Sequence, residues 1–517
     1  DSKSLLLMDE VYIKDSKYEE AQTETEKKLV DIWKSILQVD DISINDNFFD
    51  VGGNSLSLMK MAAYINKHFK IKASIKKLFE YCDIKSIAKY IDSNKKVIYK
   101  EIKKSIKKDY YEASPAQKRM YVLNNMDTTG IAYNMPAFIE LSGALDLKKI
   151  NEIFKFLVKR HEAFRTSFSI VNNLLVQNIT ENVEFDVDFE ESNGCIEFDE
   201  IKNNFIKKFD LNNGNLIRVK LLKVAENKHI LMLDMNHIIS DGESINLIIR
   251  EFLELYNGKK LEENKIDYTD YSEWKNEAQN TFKIIEKQEK YWANKLKGKL
   301  QKLNIRGDYD RPLIRSFKGS KYYFTIENNI ITKLKKICNE TETTMYMLFL
   351  SVINILLSKY SNQKDILIGT PVSGRTNIEL NNIVGLFVNT LVMRNKIDDN
   401  KSYYNFLKEV KTTCIEAYEN QEYEFDNLVK VVDFEKDNSH NDIFDFMFVM
   451  QDDINSKLQF DDFDCKIIEL NTDVSKFDMT FFAVNKKDKI DFTIEYCTDI
   501  FSIDTIKVFE ESFRKIL

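Results

Sequence analysis

The feature that most constrains this chain's fold is a change of hydrophobic period near residue 110. Before that point apolar residues recur only at helical spacing; beyond it, short alternating runs interleave with helical ones. One core cannot serve both patterns, and 517 residues exceed what a single ordinary core buries. The chain therefore reads as multidomain: a small all-α bundle followed by a larger, mixed α/β part.

In the first part Thr23 and Glu26 form a capping-box signature, and Leu29, Ile32, Trp33, Ile36 and Leu37 follow on one helical stripe. A loop from Asp40 to Gly53 leads to a helix beginning near Ser55, with Leu58, Met61, Ala62, Ile65 and Phe69 on one face. A short segment at Ile75–Phe79 follows. A last helix, capped by Asp83 and faced with Ile84, Ile87, Ala88 and Ile91, completes a four-helix bundle over residues 20–93. Residues 1–19 are polar and aperiodic and read as a linker, as do the lysine-rich residues 94–109. Beyond Tyr110, strand-like runs lie at Phe138–Leu141, His229–Met235, Lys321–Ile326, Ile366–Ile368, Phe444–Met450 and Ile490–Tyr496. Helical runs lie at Leu147–Arg160, Ser244–Leu255, Lys333–Lys359 and Tyr403–Glu419. An α/β stretch of this length implies two lobes, assigned to residues 110–275 and 276–517.

Composition excludes several functions. A net charge of −8, with both signs interspersed, leaves no footprint for nucleic acid. Cys82, Cys195, Cys338, Cys414, Cys465 and Cys497 form no CxxC pair, and His68, His161, His229, His237 and His440 have no metal-ligand spacing, so no metal site is expected. Scattered cysteines of this kind suit a reducing, cytoplasmic compartment. No apolar run reaches the roughly 18–20 residues of a membrane span. The start at Asp1-Ser2-Lys3-Ser4-Leu5 has no initiator Met and reads as cut from something longer, here expected to be monomeric.

Two positions carry chemistry. Gly52-Gly53-Asn54-Ser55 sets a serine at a helix start, where unpaired backbone N–H groups favour an anion such as a phosphodiester. A plain helix-capping serine is the other reading of the spacing. Ile230–His237 alternates as a strand, placing His237 with Met235 and Leu233 on one face and Asn236 with Asp234 on the other. A histidine at a strand end can present its imidazole to a cleft; a hydrogen-bonded core histidine is the alternative.

Resemblance separates these readings. Asp46-Asn47-Phe48-Phe49-Asp50-Val51-Gly52-Gly53-Asn54-Ser55-Leu56 resembles DxFFxxGGxSL of the peptidyl carrier domains of nonribosomal peptide synthetases, with Asn54 where the family usually has His or Asp. It implies 4′-phosphopantetheine, derived from coenzyme A, on Ser55, with Phe48 and Phe49 as core anchors. Asn236-His237-Ile238-Ile239-Ser240-Asp241-Gly242 resembles HHxxxDG of the condensation domains, with Asn236 for the first His. Further strings stand in family order: Ser114–Tyr121 (SxAQxRLW), Arg160–Thr166 (RHExLRT), Tyr268–Trp274 (YxDYAxW), Ile368–Arg375 (IGxPxxGR), Gly385–Leu391 (GxFVNTL) and a weakened QxxPFE at Gln421–Asp426. The resemblance implies a two-lobed, chloramphenicol-acetyltransferase-like fold with a tunnel between the lobes. In it His237 acts on the acceptor amine, Asn236 and Gly242 support the site, Asp241 pairs with Arg375, and Asn389 lines the tunnel; His161 and Arg165 brace the fold.

The activity so implied is peptide-bond formation from a donor thioester, of L configuration. The implied partners are an upstream adenylation domain (Asp1–Leu5 resembles the tail DRxAL of its last motif), downstream adenylation and carrier domains, and a phosphopantetheinyl transferase. An epimerisation domain shares the fold, but Glu243-Ser244-Ile245-Asn246 after the Asp-Gly pair departs from its pattern. A cyclisation domain would alter position 237. A non-catalytic recruitment module of the same fold remains the alternative from another class, since Asn236 breaks the motif.

Overall fold

A computed structural model of the chain describes residues 18–96, 101–191, 198–281, 283–453, 464–486 and 488–517. The Asp1–Leu5 motif and Cys195 lie outside the described residues. The chain divides into two units, one within Asp1–Lys100 and one built from Glu101 to Arg375 and Glu379 to Leu517.

The first unit is a bundle of helices Glu24–Leu37, Ser55–Phe69, Ile75–Glu80 and Ile84–Ser93. Thr23 and Glu26 make the reciprocal capping box the sequence predicts, and Asp83 caps the last helix by accepting the Ser86 N–H. The apolar stripes meet around Trp33 and Phe48, both fully buried, with ring centroids 5.0 Å apart in an edge-to-face pair. Phe49 is only half-buried and stacks on Phe79.

The second unit contains three sheets. One is five-stranded, in the order Asp464–Ile468, Ala137–Ser142, Lys228–Met235, Ile217–Ala225, Asp188–Glu191. Another is six-stranded, in the order Asn389–Lys396, Asp365–Val372, Phe446–Asp452, Met479–Asn485, Lys489–Cys497, Gly319–Glu327. A small one joins Tyr111–Glu112 to the hairpin Thr166–Val171 and Leu174–Ile179.

Three expectations are corrected. The halves do not separate at residue 275: helix Tyr268–Thr281 runs through that point, and strand Asp464–Ile468 pairs antiparallel with Ala137–Ser142, Ile467 opposite Ile139. Phe317, Val384, Leu386 and Val474 also sit in the core built mainly by residues 113–253. The predicted helical run Lys333–Lys359 is two helices, Asn328–Thr341 and Met345–Ser361, bent by 101°. Glu342 there adopts a left-handed φ of 51°, and Thr344 caps the second helix through its hydroxyl. The stretch from Glu101 is not a loose linker: Ile102 is buried against Ile266, Tyr268 and Phe387, and Ser105 donates twice to Asp270, from its main chain and its hydroxyl. Lys104, Lys107 and Lys108 pair with Asp267, Glu181 and Glu273. No single helix among the described residues is long and apolar enough to cross a membrane.

Candidate functional site

In the first unit the loop before Ser55 is shaped by Phe48. The Gly53 N–H donates to the Phe48 carbonyl at 2.8 Å, and a Cβ on Gly53 would stand 2.3 Å from the Phe48 ring, so only glycine fits. Asn54, not Ser55, caps the helix: its side-chain oxygen accepts the N–H groups of Leu56 and Ser57, and the Ser57 hydroxyl accepts the Asn54 N–H. Small and polar, Asn54 is suited to that task. Ser55 is thus the first helical residue. Set one residue inside its cap, it is only 6% exposed, not the open position that a residue at a helix start usually has. A serine at a helix N-terminus, behind a glycine-lined turn, is the right kind of attachment point for a phosphodiester.

In the second unit, the strand leading to His237 stops at Met235. Asn236 caps a single 3₁₀ turn, His237–Ile239, by accepting the Ile238 N–H at 2.9 Å. The two side chains diverge as strand alternation predicts, but by way of this turn. Asn236 is buried and donates to Asn124 Oδ1 at 3.1 Å. The His237 N–H donates to the Tyr133 carbonyl at 2.8 Å, and its Nδ1 lies 2.8 Å from the Ser240 carbonyl. A carbonyl oxygen only accepts, so Nδ1 carries the proton and Nε2 keeps its lone pair. His237 retains some accessible surface, yet protein crowds the ring. Burial, and next the positive charge of Lys476, push its pKa down to about 4, against the pull of the Ser240 carbonyl and Asp241. The imidazole is therefore neutral near pH 7, with one free base nitrogen.

Asp241 is buried and caps helix Gly242–Tyr256 by accepting the Ser244 N–H at 2.8 Å. It also accepts from Arg375 Nη2 at 3.0 Å and from the Phe387 N–H at 3.1 Å. Arg375 is buried too; it donates to the Leu380 and Ile383 carbonyls and stacks 4.1 Å over the Phe387 ring. Gly374 lets the strands' connection come this close: its φ is +66°, and a Cβ would lie 1.8 Å from the Phe387 oxygen. Gly242 is exposed, with nothing within 4 Å of where a Cβ would stand.

Asn389 is corrected. Its amide donates to the Gln421 and Tyr423 carbonyls, both at 2.9 Å, and its oxygen accepts the Phe425 N–H at 3.1 Å. Every polar atom is spent on the main chain, so it braces the 421–425 loop and offers nothing to a tunnel. His161 bonds Glu251 at 2.7 Å, and Arg165 donates to the carbonyls of Val158, Lys159 and Thr180.

Sequence reasoning missed Tyr133, Asn124 and Lys476, which lie in no recognised string. Gln117 was inside one: it donates to Gln177 and reaches the Ile238 carbonyl at 3.4 Å, supporting the histidine's turn. It also missed a His440–Asp445–Asp478 group among the described residues. That group is already satisfied, His440 on Asp445 at 2.7 Å and Arg311 on Asp478.

Comparison with known proteins places this geometry. Residues 27–91 match the family model for a phosphopantetheine attachment site, and residues 107–517 that for a condensation domain. Bacitracin synthase 2 of Bacillus licheniformis is 40% identical over 517 residues, covering 100% of this chain and 20% of the synthase. Gramicidin S synthase 2 of Aneurinibacillus migulanus is 39% identical over 503 residues, 97% of this chain and 11% of that one. The chain thus spans a fifth or less of the length of these relatives. In fold it is similar to the X-domain from teicoplanin biosynthesis (TM-score 0.73, 17% identity, 81% of this chain and 96% of that one). It is also similar to the condensation domain from the Monacolin K polyketide synthase MokA (TM-score 0.69, 17% identity, 79% and 96%). The chain belongs to the condensation-domain family of nonribosomal peptide synthetases, with a phosphopantetheine-attachment domain ahead of it in sequence.

Proposed function

We propose that the condensation unit transfers an acyl donor to the amine of an aminoacyl group held by a downstream carrier, forming a peptide bond, and that Ser55 is where this chain's carrier bears its arm. The domain limits proposed are 20–93 for the carrier and 101–517 for the condensation domain, the latter starting where the chain packs into the second unit. The donor is of L configuration, and the arm is installed by a phosphopantetheinyl transferase. When attached, the arm supplies the thiol that holds the acyl group as a thioester.

The observation that carries this reading is the committed tautomer of His237: Nδ1–H is used on the Ser240 carbonyl, leaving Nε2 as an uncharged base. His237 Nε2 takes a proton from the amine nitrogen as that nitrogen bonds the acyl carbon. It then returns the proton to the sulfur that leaves, so nothing is consumed beyond the two substrates. Asp241 and Arg375 hold the turn to the opposite strand connection and do not touch the reactants. Fixing both substrates beside one base supplies most of the rate.

Intact-mass analysis tests the two parts separately. Coenzyme A and a transferase should add one arm to the chain and none to Ser55→Ala. With a loaded donor and a loaded acceptor carrier supplied in trans, His237→Ala should form dipeptide about 10²–10⁴-fold more slowly, with loading unchanged. Wild-type condensation by His237→Ala would overturn the assignment.

A further inference from the structure

Two stretches of chain hold the main chain of His237. One is strand Lys228–Met235, which leads into its turn; the other is the segment Tyr133–Met135, which enters strand Ala137–Ser142. The Met135 N–H donates to the Met235 carbonyl at 2.7 Å, and the Tyr133 carbonyl accepts the His237 N–H at 2.8 Å. Between them Asn134 and Asn236 stand opposite one another in an antiparallel bridge. The histidine's main chain is therefore only as fixed as this segment, and Asn134 is the side chain that fixes it. Asn134 is 8% exposed, and its amide nitrogen donates to Asp234 Oδ2 and to the Lys207 carbonyl, both at 2.8 Å. Asp234 is fully buried and lies opposite Arg218 of strand Ile217–Ala225. Its Oδ2 also accepts from Arg218 Nη1 at 3.0 Å, and Arg218 donates onward to the carbonyls of Lys207 and Lys208, both at 2.7 Å.

We propose that Asn134 is a positioning residue for His237: gripped by Asp234, it ties the segment that carries the Tyr133 carbonyl to the strand that ends at the histidine, and so sets where the imidazole stands toward its substrates. Strand alternation puts Asp234 and Asn236 on the face away from His237, so the tie acts through the main chain and touches no reacting atom. Two features show what the tie requires. Asp234 Oδ1 and Asn134 Oδ1 are both buried with no partner among the described residues, so a single carboxyl oxygen does the accepting. Burial raises the Asp234 pKa to about 7 against the pull of Arg218 and Asn134, so the tie does not need a permanent charge there. An amide carbonyl accepts the same two hydrogen bonds. Asp234→Asn should therefore preserve what Asp234→Val and Asn134→Leu destroy. Misplacing a reacting group by about 1 Å can cost on the order of 10²-fold in rate.

The proposal deepens the reading of His237 as the base, and its first readout does not depend on that reading. The chain has five histidines, so selective nitrogen-15 labelling of histidine gives few main-chain amide signals, and His237→Gln identifies the one wanted. In Asn134→Leu and Asp234→Val that amide should shift and exchange with solvent about tenfold faster or more, while the other four keep their places. In Asp234→Asn it should stay as in the wild type. Asn134→Ala and Asp234→Ala serve should the larger apolar variants fail to fold. The second readout is condensation with loaded donor and acceptor carriers. In the apolar variants kcat should fall by about 10–100-fold with KM for the acceptor carrier unchanged, and Asp234→Asn should stay within a few-fold of wild type. A lower melting temperature with the amide and kcat both at wild-type values would show that the network only stabilises the fold, and overturns the proposal. An Asp234→Asn protein as slow as Asp234→Val overturns it too. An amide that changes while kcat holds leaves Asn134 as the tie on the turn and overturns the base role of His237.

Discussion

At Asn236 the motif departs from its family while the local chemistry stays complete. The side chain accepts the Ile238 N–H and donates to Asn124, and it is buried away from the imidazole beside it. A histidine can also accept on one ring nitrogen and donate from the other. Asn236→His should therefore condense within a few-fold of wild type. Asn236→Leu strands the Ile238 N–H and the Asn124 oxygen, and unpaired buried groups cost about 1–3 kcal/mol. A lower melting temperature should show it, ahead of any loss of arm loading. A large gain in rate with Asn236→His would mean that the natural residue cripples the domain. The pH response belongs to the neighbouring residue. His237 titrates near 4 in the folded chain, against an ordinary value near 6.5. Between those values the unfolded chain binds a proton that the folded one refuses. The stability contribution of this residue is thus constant above about pH 6.5 and declines as pH falls toward 4. Activity assigned to neutral His237 should show no acid limb near pH 6.5; a limb there that persists in a profile corrected for unfolding would contradict the buried imidazole.

At the scale of elements, periodicity located what it could measure. Helices Leu147–Arg160 and Tyr403–Glu419 fall where the apolar stripes place them, because each keeps one period from cap to cap. The break at Glu342 was not legible: no Gly or Pro marks it, and apolar residues continue on both sides. Strand Ile217–Ala225 was missed for the opposite reason, since Leu221 and Leu222 interrupt its alternation. The histidine and its Asp241–Arg375 pair were legible only because ordered motifs stand far apart in sequence; what Arg375 grips, the Leu380 and Ile383 carbonyls, was not. That pair decides how helix Gly242–Tyr256 is held to the 383–387 segment. Removing one partner leaves a buried charge, a loss of about 3–5 kcal/mol. Asp241→Ala should accordingly melt lower and lose solubility together with activity. A fully stable, inactive Asp241→Ala would instead assign the carboxylate a direct part in the reaction.

The division of the condensation unit belongs to the whole molecule, and here a linear reading had least to work with. Five residues, Asp464–Ile468, are too short for a pattern, and their partner strand lies more than 300 positions earlier. Yet they close the edge of the five-stranded sheet, and Phe317, Val384, Leu386 and Val474 complete the core beneath it. A fragment ending at residue 275 would expose strand Ala137–Ser142 along its hydrogen-bonding edge and leave that core with missing walls. It would also cut helix Tyr268–Thr281, whose Tyr268 donates to the Leu386 carbonyl at 2.6 Å across the proposed boundary. Residues 110–275 expressed alone should therefore aggregate or lack a cooperative melting transition. Residues 276–517 alone should fare little better, because strand Asp464–Ile468 then has no partner. Starting both halves' joint construction from residue 101 should help, since Ile102 packs against Tyr268 and Phe387. Co-expression of 101–275 with 276–517 should restore a single cooperative transition and co-purification. A soluble, independently melting 110–275 fragment would show instead that the two lobes are separate folding units that merely touch.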